Sequence, residues 1–338
     1  MLPYLRSISH KMLTGTDIML NFLPGPLKGI LSFLCYLINT MVMCTMLFTV
    51  ALVKFTVPLA SCRILCDKWL IAVATAWISV NIFHSRIFNR IEWDVRGVDT
   101  LEMQEWYLVL SNHQSWMDIL VLHTVFNRKI PFLKFFLKKE LIWVPILGLA
   151  WWALDFPFMR RYTRKFLEKH PHLKGKDLES TRNACEKFKA LPISIMNFVE
   201  GTRFTSAKHE TQNSPYQHLL KPRAGGVAFV LGAMGEHLNA VIDVTIVYPQ
   251  GADNFWGFMS GRVKKIIVDV EVMPVSETMM GDFFNDADFR EQFCCWLNGL
   301  WQRKDAKIQD ILGETGNIGD PVSPQVCFKR KCPENRPG

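Results

Sequence analysis

A histidine and a carboxylate five residues apart, His113 and Asp118, form a pair in this sequence that is able to do proton chemistry. The spacing alone is ambiguous, because residues five apart on a regular helix sit roughly 140° apart around its axis. The two side chains meet only if His113 precedes the first turn of a helix and folds back over it while Asp118 rises from that turn. One ring nitrogen is then held by the carboxylate and the other is free to take a proton. An ordinary capping or surface pair is the competing reading. Flanking residues favour the first arrangement. Tyr107 to Leu110 is an apolar run of strand-favouring residues. Ser111 and Asn112 break it with side chains suited to capping a helix, and Ile119 to Phe126 continues in helical fashion.

A second polar cluster closes another buried-strand pattern, Ile193-Ser-Ile-Met-Asn-Phe-Val, which runs into Glu200, Gly201, Thr202 and Arg203. Strand ends in α/β proteins are where ligands gather. Glycine lets the backbone turn close to a ligand, and an arginine beyond it can grip a phosphate through two parallel hydrogen bonds.

Together these residues resemble the PlsC-type glycerolipid acyltransferases, the acylglycerol-3-phosphate acyltransferase family. The N-H-x4-D block of that family matches Asn112, His113 and Asp118, and its E-G-T-R block matches Glu200 to Arg203. A block with a phenylalanine and an arginine after a glycine-containing helix matches Gly148 to Arg161, with Phe158 and Arg161 as its key positions and Arg160 as a competing alignment. A fourth, a strand closing on proline, matches Val244-Thr-Ile-Val-Tyr248-Pro249. The resemblance covers about residues 70 to 312, and stretches such as Trp143-Val-Pro-Ile-Leu-Gly-Leu-Ala look like one bacterial branch of the family.

The resemblance implies an α/β fold, a mixed and mostly parallel sheet flanked by helices, behind an N-terminal helical membrane anchor. It also implies transfer of a fatty acyl group from acyl-CoA or an acyl carrier protein to the free sn-2 hydroxyl of a lysophospholipid, most simply 1-acyl-sn-glycerol-3-phosphate. His113 would be the general base and Asp118 its orienting partner. Glu200, Gly201, Thr202, Arg203 and Arg161 would hold the substrate phosphate, with Asn112, Phe158, Lys221 and Arg223 as further candidate substrate contacts. The attacking hydroxyl belongs to the substrate and thiolate leaves readily, so neither a protein nucleophile, a metal nor a bound cofactor is expected. Remodelling of lysophosphatidylglycerol, lysocardiolipin or lysophosphatidylinositol is the alternative within the class. A lipid hydrolase and an inactive membrane scaffold are the rivals outside it.

The rest of the chain must position this chemistry at a lipid surface. Hydrophobic residues make up 49% of the 338, high for a freely soluble enzyme, and the formal net charge is +8. No nucleic-acid-binding signature accompanies that charge. An anionic membrane surface or anionic substrate fits it better. Gly29 to Val53 is a 25-residue run without a charge, long enough to cross a bilayer, and is expected as a retained anchor rather than a cleaved signal. Trp69 to Phe83 looks short for a crossing and is expected to lie in the interface or pack beneath the catalytic domain. Lysines and arginines on either side of the anchor balance, so orientation is not fixed by charge. The resemblance places the catalytic domain on the cytoplasmic face, in a bacterial inner membrane. Oligomeric state is not readable.

The expected boundaries are residues 1–90 for the anchor helices, 91–312 for the catalytic domain and 313–338 for a disordered tail. Within the catalytic domain, strands are expected over 91–97, 107–111, 130–137, 193–199, 241–248 and 264–273. Helices are expected over 146–154, 177–191 and 288–312, and Phe204 to His218 reads as a polar loop. Lys138 and Lys139 form either a solvated face or a phosphate attractor. Trp151 and Trp152 suit core or interface packing. His170-Pro-His172 reads as a turn rather than a metal site. The nine cysteines suggest no zinc or disulfide framework, and hence a reducing compartment.

Overall fold

The computed structural model describes residues 22–159 and 191–316. One six-stranded sheet contains β1 (Glu92–Arg96), β2 (Tyr107–Ser111), β3 (Leu133–Phe135), β6 (Ser194–Phe198), β7 (Ala240–Val247) and β8 (Lys265–Pro274), in spatial order β1-β8-β7-β2-β6-β3. A separate pair joins β4 (Leu137–Lys138) to β5 (Phe158–Met159). Every pairing is parallel except β7 with β8. β2 and β7 are buried at every position, which suits near-continuous apolar strands covered on both faces.

Alternation along these strands feeds two cores. Leu108 and Leu110 face one side, against α6 (Ala224–Met234) and α8 (Ala287–Glu314), which contribute Val227, Leu231, Phe293, Leu297 and Trp301. Tyr107 and Val109 face the other, against Val121, Leu122 and Val125 of α3 (Asp118–Phe126) and Phe258 and Met259 of α7 (Phe255–Met259). The long α8 starts where Asp286 caps the amides of Asp288 and Phe289. Its buried Lys304 pairs with Asp243 of β7 at 2.8 Å, so neither charge is left alone in the interior.

The N-terminal segment is a hairpin of α1 (Gly25–Thr56) and α2 (Ala60–Phe88), each long and apolar enough to cross a membrane. Asn39 Nδ2 donates to Asn81 Oδ1 at 2.7 Å and Trp77 Nε1 donates to Thr40 Oγ1 at 3.1 Å, which locks the two helices together. One face of the hairpin lies along the catalytic domain for much of its length. Gly29 sits under Trp256, where an added Cβ would come within 2.9 Å. Ser32 meets Met259, and Cys44 and Leu47 pack with Ala150, Ala153 and Phe156 of and after α4 (Leu147–Ala153). Lys54 pairs with Asp67 at 2.6 Å and Asp155 at 2.9 Å. The other face exposes Leu27, Ile30, Phe33, Ile38, Met41 and Val42.

Several expectations are corrected. Trp69 to Phe83 is the middle of a 29-residue helix, because Arg63, Asp67 and Lys68 interrupt the apolar run without breaking the helix; it does pack beneath the catalytic domain, where Asn127 Nδ2 reaches Ser79 Oγ. The expected strand 130–137 is two short strands in different sheets, since Pro131 lacks a donor and the ladder breaks at Phe136, with β3 pairing β6 and β4 pairing β5. Phe204 to His218 contains α5 (Ser206–Gln212), capped by Thr205 and closed by Asn213 in the left-handed region. Cys294 is disulfide-bonded, contrary to the reading of unpaired thiols. The expected helix 177–191 and the His170-Pro-His172 turn lie, wholly or nearly so, outside the described residues.

Candidate active site

β6, β2 and β7 are adjacent parallel strands, in register Phe198–Ser111–Val244, so their C-terminal ends open on one edge of the sheet. Asn112 closes β2. Its side-chain amide donates to the carbonyl of Ile246 and accepts from the amide of Ile246, each at 2.9 Å, which extends the ladder by one residue through a side chain. Asn112 is fully buried with both polar atoms used, so it is a structural clamp and not the substrate contact expected.

His113 follows, just before α3, and folds back as the spacing requires. Its Nδ1 lies 2.8 Å from Asp118 Oδ2, and among the described residues its Nε2 has no hydrogen-bond partner. The ring stacks on Phe198, with centroids 3.9 Å apart and planes 14° from parallel. Asp118 is buried yet well satisfied. Oδ2 also accepts from the amides of Gln114 (2.6 Å) and Ser115 (2.9 Å), and Oδ1 accepts from the hydroxyl of Tyr248 at 2.7 Å. A carboxylate at the first residue of a helix, facing free amides, is where the helix dipole favours negative charge. The imidazole is therefore fixed in plane by Phe198 and in tautomer by Asp118, which leaves Nε2 as the open nitrogen.

Glu200 has a different use from the phosphate contact expected. It is fully buried; Oε1 accepts from the amide of His113 at 3.0 Å and Oε2 from the amide of Leu220 at 3.1 Å. Burial pushes its carboxyl up to about 8, opposed by the two amides and raised further by the charge of Asp118. It holds the backbone of His113 to the loop before α6. Gly201 turns at φ +68°, which favours glycine, and a Cβ there would come within 2.9 Å of the Arg223 side chain and displace it.

The cations lie at the mouth. Arg203 carries its guanidinium 4.4 Å from the ring centroid of the half-exposed Trp116, two residues before Asp118. Lys208 of α5 donates to Thr202 Oγ1 at 2.8 Å and to the Arg203 carbonyl at 3.0 Å, so it braces the turn that presents Arg203. Arg223 is exposed over Gly201, and the amide of Lys221 is tied to Gln212. Phe158 sits on β5 in the small separate sheet, paired with Leu137. Arg161 and its competitor Arg160 lie outside the described residues. Among the described residues, no group of three or more His, Cys, Asp or Glu side chains is close enough to hold a metal ion.

Sequence reasoning gave no role to Phe198, Trp116 or Lys208, and named Tyr248 only as part of the strand-and-proline block. Only Tyr248 left a signal, since a tyrosine directly after a fully buried central strand must find a partner for its hydroxyl. A cavity of about 550 Å³ lies elsewhere, at the C-terminal end of α6 between Phe229 and Phe284, at the far end of that helix from Arg223.

Residues 92–249 match the family described as Acyltransferase. The chain is 30% identical over 234 residues to the 1-acyl-sn-glycerol-3-phosphate acyltransferase delta of Mus musculus, covering 66% of this chain and 57% of that protein. It is 25% identical over 227 residues to the gamma enzyme of Homo sapiens, covering 63% and 55%. The chain thus spans little more than half the length of these relatives. The crystal structure of the 1-acyl-sn-glycerophosphate (LPA) acyltransferase PlsC from Thermotoga maritima shares the fold, with a TM-score of 0.50 and 15% identity over 88% of this chain and 100% of that one.

Proposed function

We propose that this chain is a glycerolipid acyltransferase of the PlsC type, and that it moves a fatty acyl group from an acyl thioester to the free sn-2 hydroxyl of a lysophospholipid. The names of the relatives favour 1-acyl-sn-glycerol-3-phosphate as acceptor, which would give phosphatidic acid. The observation that carries the reading is the His113–Asp118 pair, with Nδ1 held at 2.8 Å and Nε2 left open. Nε2 takes the proton of the lipid hydroxyl as its oxygen attacks the thioester carbonyl. Asp118 stabilises the imidazolium that forms. The tetrahedral intermediate collapses with loss of thiolate, and the imidazolium returns the proton to that sulfur. No acyl group passes through the protein. Arg203, with Arg223 over Gly201 of the same turn, grips the acceptor phosphate, and Thr202 and Gly201 shape the turn that presents it. Acyl-CoA and acyl carrier protein both supply the required thioester.

The membrane supplies the acceptor. The outward apolar face of α1 and α2 supports seating in a bilayer, and exposed Trp143, Leu149 and Trp152 beside Lys138 and Lys139 extend that surface at headgroup level. The stretches similar to a bacterial branch favour the cytoplasmic face of an inner membrane. The test is acyl transfer from labelled acyl-CoA and acyl carrier protein with lysophosphatidic acid, lysophosphatidylglycerol and lysophosphatidylinositol offered in parallel. Preference for lysophosphatidic acid supports the acceptor assignment. Preference for another lysolipid overturns it and leaves the chemistry standing, and turnover without any acceptor replaces transfer by hydrolysis.

A further inference from the structure

Tyr248 follows β7 directly and is buried, and among the described residues its hydroxyl has one partner, Asp118 Oδ1, at 2.7 Å. The other oxygen of Asp118 is shared by His113 Nδ1 and two amides of the same turn. Those amides come with the turn and cannot be varied by side-chain choice. The Tyr248 hydroxyl is thus the side-chain donor on the carboxylate other than the base itself. Asn112 fixes its approach, because its clamp on Ile246 locks β7 to β2 two residues before Tyr248. Burial beside Asp118 holds the phenol far above its usual range, so it donates throughout the working pH.

We infer that Tyr248 is a positioning residue that sets the proton affinity of His113 through Asp118. A hydrogen bond to a carboxylate draws charge away from the oxygen that faces the imidazole. The imidazolium that forms in the reaction is then less stabilised than it would be against an unshared carboxylate. The same bond holds the carboxylate plane, so Oδ2 stays aimed at Nδ1. Among the described residues, the charged groups about the dyad include Glu200 beneath the His113 amide, Arg203 on Trp116, Arg223 over Gly201, Lys208 on the Thr202–Arg203 turn and Lys304, whose charge reaches Glu200.

The inference rests on the acyl-transfer reading, and its test separates the two. Acyl transfer is measured against pH for the wild-type protein, for Tyr248→Phe, and for protein with 3-fluorotyrosine incorporated at position 248. Tyr248→Phe keeps the ring and removes the donor. It is expected to lower kcat on the order of tenfold with KM little changed, and to move the acid limb up by roughly half a unit or more. Fluorination strengthens the donor without disturbing the packing, and is expected to move the acid limb the opposite way, even if the phenylalanine variant fails to fold. Acid limbs that superimpose on the wild-type curve, or shift in one direction for both replacements, would overturn the role of Tyr248. Absence of transfer by the wild-type protein would instead strike the acyl-transfer reading.

Discussion

The amide of His113 donates to Glu200 Oε1 at 3.0 Å, across 87 residues of sequence. The loop that carries the proposed base and the loop that carries the cations are therefore one mechanical unit. Glu200 is the pin, with its second oxygen on the Leu220 amide. Replacing it by alanine orphans two buried amides, at a cost of about 2 to 4 kcal/mol of stability. Chemical denaturation checks this, and a loss below 1 kcal/mol would deny the pin.

The same carboxyl makes stability depend on pH. Its folded-state value, about 8, lies above the ordinary carboxylate value. The folded protein therefore holds the proton over a range where the unfolded chain has lost it. The contribution is fully present below pH 4.5 and is lost as pH rises from there through 8. Glu200→Gln removes that titration and is expected to flatten the fall in melting temperature over this window. An unchanged slope would assign the fall to other groups.

Gly201 combines a left-handed backbone with the close approach of Arg223. Gly201→Ala is expected to cost about 1 to 2 kcal/mol in strain and to push Arg223 aside. The kinetic sign would be a raised KM for the acceptor with a smaller change in KM for the thioester. Equal effects on both substrates would argue that the turn does not serve the phosphate.

The Arg203 guanidinium sits 4.4 Å from the Trp116 ring centroid and, among the described residues, is not paired with an acidic side chain, so it can leave the ring for an anionic ligand. Arg203→Lys keeps the charge and loses the planar fork. Acceptor KM is expected to rise about tenfold, or one lost charge-assisted hydrogen bond. Full retention of affinity in the lysine variant would reduce Arg203 to a point charge.

How much of this was legible beforehand follows from the range of the forces involved. β2 was read with its bounds because four apolar, strand-favouring residues end on two capping residues, a local pattern. The fold-back of His113 over Asp118 was also local, being set by where the strand stops. Glu200 was assigned to phosphate because the block around it contains arginine and glycine, whereas its partners, the His113 and Leu220 amides, are distant in sequence. Phe198 and Tyr248 reach the dyad only through the lateral order β6-β2-β7, which no single-strand pattern encodes. The length of α2 was underestimated because charges that a helix end tolerates look, in a hydropathy scan, like the end of the helix.

The hairpin makes a topological prediction. One of its faces is occupied by the catalytic domain from Gly29 to Lys54, about 38 Å of helix, which exceeds the thickness of a bilayer core. A cysteine placed at Pro58, in the α1–α2 turn, is expected to be labelled from the same side of the membrane as the catalytic domain. Labelling from the opposite side alone would establish a full crossing.

The most direct measurement is acyl transfer from labelled oleoyl-CoA, or the acyl carrier protein thioester, to lysophosphatidic acid in membranes holding the wild-type protein or His113→Ala. The account predicts transfer by the wild type and a loss on the order of 100- to 10,000-fold in the variant, with melting temperature retained. Wild-type rates in a folded His113→Ala protein, or no transfer by the wild type from either thioester to any lysolipid, would contradict it.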